Sequence, residues 1–219
     1  MPMRIGIIGA GNIGGNIARR LALAGHDVTV SFARDQAKLA ALAAETGATV
    51  GDPSRAATAE VVVLSVPWGV IDTALAAAGP LAGRIVVDTT NQFGPGGALD
   101  LGHTAARHNA DRLPGARYTK CFNTLTAGFQ AQAATRTGDA RVVQWLCGDD
   151  TDAKAILARL VEDAGYVPID LGGVDGCAVM EAPRRRGAVY GEEYRAAAAA
   201  AAVVEAVRAG RPIPQTPRY

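Results

Sequence analysis

The sequence predicts an α/β fold, a doubly wound parallel sheet with helices on both faces and a small C-terminal helical extension. Three observations carry this expectation. Short apolar runs alternate with stretches of helical spacing along residues 3–171. Runs such as 61–64 (VVVL) are apolar throughout rather than alternating, which marks strands covered on both faces. The first run ends in a glycine-rich turn that leads directly into a helical pattern. Strands separated by helices need crossover connections, and crossovers make neighbouring strands parallel.

Each element follows in order. Residues 3–8 are the first strand, and in residues 12–23 Ile13, Ile17 and Leu21 share one helical face. Residues 27–31 are the second strand and 35–46 the second helix, with Asp35 suited to its N-cap. Residues 48–51 form a short third strand. Residues 61–65 form a buried fourth, which runs into Pro67-Trp68 and a helix over 70–78. Residues 84–88 are the fifth strand. The polar stretch 92–114 holds a short helix around 98–109. Residues 116–122, 141–147 and 167–171 read as further strands, with a helix over 152–164 opened by Asp149-Asp150-Thr151. Residues 172–191 are irregular. The alanine run 196–202 marks a helix over 194–209, because alanine is the best helix former, and Gly210 stops it. Residues 1–176 form the main domain and residues 177–219 an extension packed on it. No repeat and no linker divides them.

A length of 219 residues fits one α/β domain with a modest appendage. The 22 basic and 21 acidic side chains leave a formal net charge of +1, so no global field draws in nucleic acid or a membrane surface. No apolar run has the length of a membrane span, and the N-terminus lacks the pattern of a signal peptide, so the expected location is cytoplasmic. Cys121, Cys147 and Cys177 are odd in number and widely spaced. They are expected to be buried, reduced thiols without a disulfide framework. His26, His103 and His108 do not combine with them into a ligand pattern, so no metal site is expected.

Gly9-Ala10-Gly11-Asn12-Ile13-Gly14 is a GxGxxG between a strand and a helix, with a second strand after the helix. That context makes it a dinucleotide-binding fingerprint of Rossmann type. Gly9 permits the tight turn, Gly11 lets backbone approach a pyrophosphate, and Gly14 lets helix and strand pack closely. The start of the helix offers unpaired N–H groups to the phosphates. The second strand ends in Ser31-Phe32-Ala33-Arg34, without the carboxylate that binds a free ribose 2′-hydroxyl. The Arg34 guanidinium suits a 2′-phosphate and Ser31 adds a hydroxyl, so the expected nucleotide is NADP(H).

In such a sheet, ligands gather at the carboxyl ends of the strands. Ser65-Val66-Pro67-Trp68, Asp88-Thr89-Thr90-Asn91 and Lys120-Cys121-Phe122-Asn123-Thr124 stand there, and Glu181 lies in the irregular part. No YxxxK pair, GxSxG elbow or HExxH accompanies them. A positioned hydride transfer fits this set better than chemistry that depends on an acid–base side chain.

Together these residues resemble the family of NADPH-dependent reductases of the deazaflavin coenzyme F420. The resemblance rests on IGIIGAGNIG, the arginine after the second strand, LSVPW, VVDTTN and KCFNTL, and the DLGG…E segment from Asp170 to Glu181. It covers roughly residues 3–182. It implies direct hydride exchange between nicotinamide and deazaflavin. Gly9, Gly11, Asn12, Ile13, Gly14, Ser31 and Arg34 would hold NADP. Ser65, Val66 and Pro67 would line its ribose and nicotinamide side. Asn91, Asn123 and Trp68 would border the reaction cleft. The same module occurs in membrane metalloreductases. The sequence departs from the family at Ala33, where a polar residue is common, and in the segments 183–186 (PRRR) and 190–194 (YGEEY). The implied partner is a small-molecule hydride acceptor, and a homodimer is the expected assembly. The basic run 184–186 offers an acidic acceptor a docking point. Two other readings stay open: reduction of a small imine or carbonyl, and NADP(H) sensing without turnover.

Overall fold

The computed structural model describes residues 1–32, 35–195 and 197–214, without the side chains of 197–199. The chain runs β1 (Arg4–Ile8), α1 (Asn12–Leu23), β2 (Asp27–Ser31), α2 (Gln36–Thr46), β3 (Thr49–Val50), α3 (Pro53–Ala56) and β4 (Val61–Leu64). It continues through α4 (Ile71–Ala78), β5 (Ile85–Asp88), the small hairpin β6 (Phe93–Gly94) and β7 (Gly97–Ala98), α5 (Ala105–Asp111) and β8 (Arg117–Lys120). Then come α6 (Ala127–Ala133), β9 (Val143–Leu146), α7 (Thr151–Asp163), β10 (Val167–Asp170) and α8 (Ala197–Arg208). Short 3-10 turns at Trp68–Val70 and Val174–Met180 precede α4 and follow β10.

The main sheet has the order β3-β2-β1-β4-β5-β8, with every pairing parallel. From β1 the chain winds outward through β2 and β3, then returns to β4 on the other side. The order therefore reverses between β1 and β4, and a crevice opens beyond their carboxyl ends. The pleat sends alternate residues of one strand to opposite faces. Ile5 and Ile7 of β1 join Val61 and Val63 of β4 under α1, α2 and α7. Ile8, Val62, Leu64 and Val86 join the opposite core, with residues of α4, α5 and α8. Each such fully buried aliphatic side chain contributes roughly 1.5–3 kcal/mol by leaving water. Cys177, Met180, Val189, Tyr194, Ala200 and Val203 belong to this second core, so the C-terminal segment shares it with the sheet.

The structure departs from the sequence expectation in three places. The strands β9 and β10 form their own parallel pair, joined to the edge strand β8 by one antiparallel bridge between Lys120 and Cys147. The stretch 92–114 holds the β6–β7 hairpin and then a shorter helix, which starts where the Thr104 side chain accepts from the Arg107 N–H. The cysteines are not all free. Cys147 and Cys177 form a disulfide with Cα atoms 5.9 Å apart, and Cys121 is the buried free thiol. Spacing along the chain carries no sign of this pairing, because the bridge on β8 brings the end of β9 beside the 3-10 turn. Alkylation of the unfolded, unreduced chain is expected to label Cys121 alone, and reduction should expose all three thiols. Three labelled thiols without reductant would contradict the bond.

Candidate functional site

The turn after β1 is shaped by contacts that only glycine allows at two of its positions. Gly9 has φ +100°, and a Cβ there would lie 2.3 Å from the Ser65 carbonyl oxygen. A Cβ on Gly14 would meet the Gly9 carbonyl oxygen at 2.2 Å, so helix and strand pack as closely as backbone permits. Gly11 differs. A Cβ there meets nothing within 4 Å, so the packing of the chain itself does not demand glycine. The open space lies over the start of α1. That helix has no side-chain N-cap and no acidic residue in its first turn. Asp35, Asp52, Thr104, Thr126 and Asp150 cap α2, α3, α5, α6 and α7, while α4 also lacks a side-chain cap but carries Asp72 in its first turn. Uncapped N–H groups, a positive dipole end and a vacant approach are what a pyrophosphate requires.

A cleft of about 520 Å³ runs over this turn, lined by Gly9, Gly11, Asn12, Ile13, Ser65, Val66 and Pro67, with Phe32, Lys38 and Thr89. Gly14 stands behind the turn as a packing residue. The structure does not bring the Ser31 side chain into the cleft. It is fully buried, its Oγ donates to the Ile7 carbonyl at 2.9 Å, and its own carbonyl accepts from the Gly9 and Ala10 N–H groups. Ser31 thus holds the turn in place. Arg34 lies outside the described residues. Asp35 caps α2 by accepting from the Ala37 and Lys38 N–H groups, as its position in the sequence suggests. Lys38, unremarked in the sequence reading, is an exposed cation on the cleft wall.

A second cleft of about 540 Å³ adjoins the first, and Ile13 and Thr89 line both. Its wall includes Asn91, Phe122, Asn123, Thr124, Phe129, Arg184, Tyr190 and Glu193. Among the described residues, two other than glycine have left-handed backbones: Phe32 (φ 54°), just past β2, and Phe122 (φ 60°), just past β8. Each faces one of the two clefts, where such locally costly conformations collect.

Asn91 and Asn123 brace each other. Asn91 Nδ2 donates to the Asn123 carbonyl at 2.8 Å, and Asn123 Nδ2 donates to Asn91 Oδ1 at 3.1 Å and to the Met180 carbonyl at 2.7 Å. Asn123 Oδ1 and Thr124 Oγ1 are buried without a hydrogen-bond partner. A buried polar atom left alone costs about 1–3 kcal/mol, and Gln92, Gln144 and Trp145 carry further such atoms outside this cleft. Trp68 is not brought to either wall. Its ring packs near His108, with centroids 5.5 Å apart, and under the Arg112 guanidinium.

Behind these groups lies a buried charge network. The Lys120 ammonium is fully buried and donates to Asp88 Oδ2 at 3.1 Å and to the Thr90 carbonyl at 2.7 Å. Tyr118 Oη and Asn109 Nδ2 also donate to Asp88, at 2.6 and 2.9 Å. Burial opposes ionisation of Asp88, but Lys120, Asn109, Tyr118 and the Thr90 N–H outweigh it and hold the carboxyl below its usual range. Glu181 accepts from the Ala105 and Ala106 N–H groups at 2.8 and 2.7 Å, where it anchors the start of α5. Burial raises its pKa, against the pull of Lys120 and those two N–H groups.

Two arginines of the exposed basic run have partners. Arg184 pairs with Glu192 at 2.7 Å, and Arg185 donates to the carbonyls of Ala178, Glu181 and Pro183. Among the described residues, no cluster of His, Cys, Asp and Glu is able to hold a metal, and no helix is long and apolar enough to cross a membrane.

Comparison with known proteins agrees with this geometry. Residues 4–92 match the family described as NADP oxidoreductase, coenzyme F420-dependent. The metalloreductase STEAP3 of Rattus norvegicus is 28% identical over 181 residues, which is 82% of this chain but 36% of that protein. The structure of the hypothetical protein SMa0349 from Sinorhizobium meliloti aligns over 90% of this chain and 97% of its own, with 28% identity and a TM-score of 0.79. A reductive aminase from Aspergillus terreus, solved with NADPH4, cyclohexanone and allyl amine, shares the fold at 23% identity and a TM-score of 0.61, over 81% of this chain and 57% of its own. The glycine turn and the uncapped helix both fall within the stretch that resembles this family.

Proposed function

We propose that the chain transfers a hydride between NADPH and a deazaflavin of the coenzyme F420 type, with the nucleotide in the first cleft and the acceptor ring in the second. The observation that carries this reading is the junction of the two clefts at Ile13 and Thr89, beside the unpartnered Asn123 Oδ1 and Thr124 Oγ1. The bound nucleotide supplies a transferable hydride, and the protein supplies position and shielding. The α1 N-terminus and Gly11 bind the pyrophosphate, and Val66 and Pro67 bound its ribose side. Asn123 Oδ1, held rigid by Asn91 and Met180, accepts from an amide-like N–H of the nicotinamide or the acceptor ring. The preference for NADPH over NADH rests on Arg34. Arg34→Ala is expected to weaken NADPH binding by about 1.5–3 kcal/mol and to leave NADH binding unchanged. Calorimetry with both nucleotides checks this, and an equal loss for both would remove Arg34 as the 2′-phosphate ligand.

The acceptor is tested by the fall in NADPH absorbance on mixing with a deazaflavin, a flavin, a cyclic imine or a ketone. Turnover with the deazaflavin is the expected result. Turnover with the imine or ketone alone would overturn the acceptor assignment and keep the hydride donor. NADPH binding without turnover of any of them would mark a nucleotide sensor. Asn123→Ala is expected to lower kcat about ten- to a hundredfold, equivalent to about 1.4–2.7 kcal/mol. A kcat equal to the wild-type value would show that the orphaned oxygen plays no part.

A further inference from the structure

The tyrosine hydroxyls of the described residues divide by what they bond. Tyr118 donates to Asp88, Tyr166 to the Gln130 carbonyl at 2.7 Å and Tyr194 to the Pro214 carbonyl at 3.4 Å. Tyr190 lines the second cleft, and its hydroxyl has no hydrogen-bond partner among the described residues. Its position is nevertheless fixed. The Val189 N–H donates to the Val179 carbonyl and the Gly191 N–H to the Thr124 carbonyl, both at 2.8 Å. The second of these bonds ties the Tyr190 segment to the loop that carries Asn123 and Thr124. Three polar groups without partners thus share one cleft: the Asn123 amide oxygen, the Thr124 hydroxyl and the Tyr190 hydroxyl.

The nearby carboxyl groups are committed elsewhere. Glu193 pairs with Arg136 at 2.7 Å and with Arg195. Burial opposes its ionisation, but the bonds from Arg195 and Arg136 prevail and keep it an anion. Glu181 is bound to the start of α5 and does not line the cleft. Burial pushes the Tyr190 phenol above its ordinary value, so it keeps its proton at neutral pH.

We propose that Tyr190 is a further catalytic residue, whose hydroxyl donates to the acceptor heteroatom that gains electron density as the hydride arrives. This rests on the hydride-transfer reading and names the chemistry of the acceptor: an organic molecule with a polarised C=N or C=O bond. The C–H bond of the reduced nicotinamide breaks, and its electron pair forms a C–H bond at the acceptor carbon. The displaced π pair moves onto nitrogen or oxygen, directly in an imine or carbonyl and through the conjugated C=C–C=N path in a deazaflavin, and that heteroatom takes the Tyr190 proton. The phenolate regains a proton from water at the half-open cleft. NADPH is oxidised and the acceptor reduced by two electrons, with one proton drawn from solvent. The segment that carries Tyr190 lies where the sequence departs from the F420 reductases.

Tyr190→Phe removes the proton and keeps the ring. It is measured against the wild type for NADPH affinity, for kcat and KM with whichever of the deazaflavin, flavin, cyclic imine and ketone the wild type reduces, and for the solvent deuterium isotope effect on kcat. The expected result is unchanged NADPH affinity, a kcat lowered about a hundredfold and a suppressed isotope effect. Wild-type kcat and isotope effect in Tyr190→Phe would overturn the assignment while leaving hydride transfer intact. Loss of NADPH affinity in this variant would make Tyr190 a structural residue and would also overturn it. A wild type that binds NADPH but reduces none of the four would remove the hydride-transfer reading, and the role of Tyr190 with it.

Discussion

Gly11→Val is expected to abolish NADPH binding while leaving the fold in place. A Cβ on Gly11 meets no protein atom within 4 Å, and its φ of −78° lies outside the left-handed region. The isopropyl group would instead fill the approach to the uncapped α1 N-terminus. Thermal unfolding without nucleotide should shift by no more than the cost of a changed N-cap, about 1 kcal/mol. The NADPH dissociation constant should rise at least about a hundredfold, about 2.7 kcal/mol. Gly14→Val is the control with the opposite signature. Its Cβ would sit 2.2 Å from the Gly9 carbonyl oxygen, so it should destabilise the apo protein itself. A folded Gly11→Val protein with unchanged NADPH affinity would show that the loop is only a turn.

Lys120→Met is expected to be the most destabilising of these substitutions, at about 3–5 kcal/mol in chemical denaturation. The cost comes less from the lost attraction than from what remains: the Asp88 carboxylate, fully buried without a cation. Asp88→Asn added to Lys120→Met should therefore recover part of the loss, because it removes the unpaired charge. The pH dependence follows from the same pair. In the wild type the Asp88 carboxyl is held below its unfolded value. Its contribution is present above the ordinary carboxylate range and is lost as pH falls through the lowered value. In Lys120→Met the cation is gone and burial dominates, so acidification that protonates Asp88 should narrow the gap to wild type. A loss below about 1 kcal/mol in Lys120→Met would contradict this view of the network.

The first half of the fold was legible because its signals are local. A strand, a glycine turn and a helix with Ile13, Ile17 and Leu21 on one face lie within twenty residues or so, and the apolar run 61–64 identifies a strand buried on both sides. The region beyond β8 was less legible. Nothing in 141–171 states that β9 and β10 leave the main sheet, since their strand and helix patterns are those of any βαβ unit. That pair covers the outer edge of β8 through the Lys120–Cys147 bridge. The same bridge explains why a lysine at a strand end is sealed from solvent and why Cys147 meets Cys177. At the site, glycines could be read because backbone geometry dictates them. Ser31 and Trp68 could not be placed, because a hydroxyl at a strand end and an indole after a proline suit either side of a turn. Asn91 and Asn123 stand at the cleft, yet most of their polar atoms serve each other and the 180–182 segment. The sequence pattern has no means of showing that only Asn123 Oδ1 remains free.

In the proposed complex, a nucleotide in the first cleft presents its reacting carbon to the second. A crystal structure of the NADP⁺ complex tests it most directly. The pyrophosphate is expected over Gly11 at the start of α1, and the nicotinamide between Ile13 and Thr89 with C4 facing Asn123 and Tyr190. A nicotinamide turned out to solvent, or a pyrophosphate away from the α1 N-terminus, would contradict it.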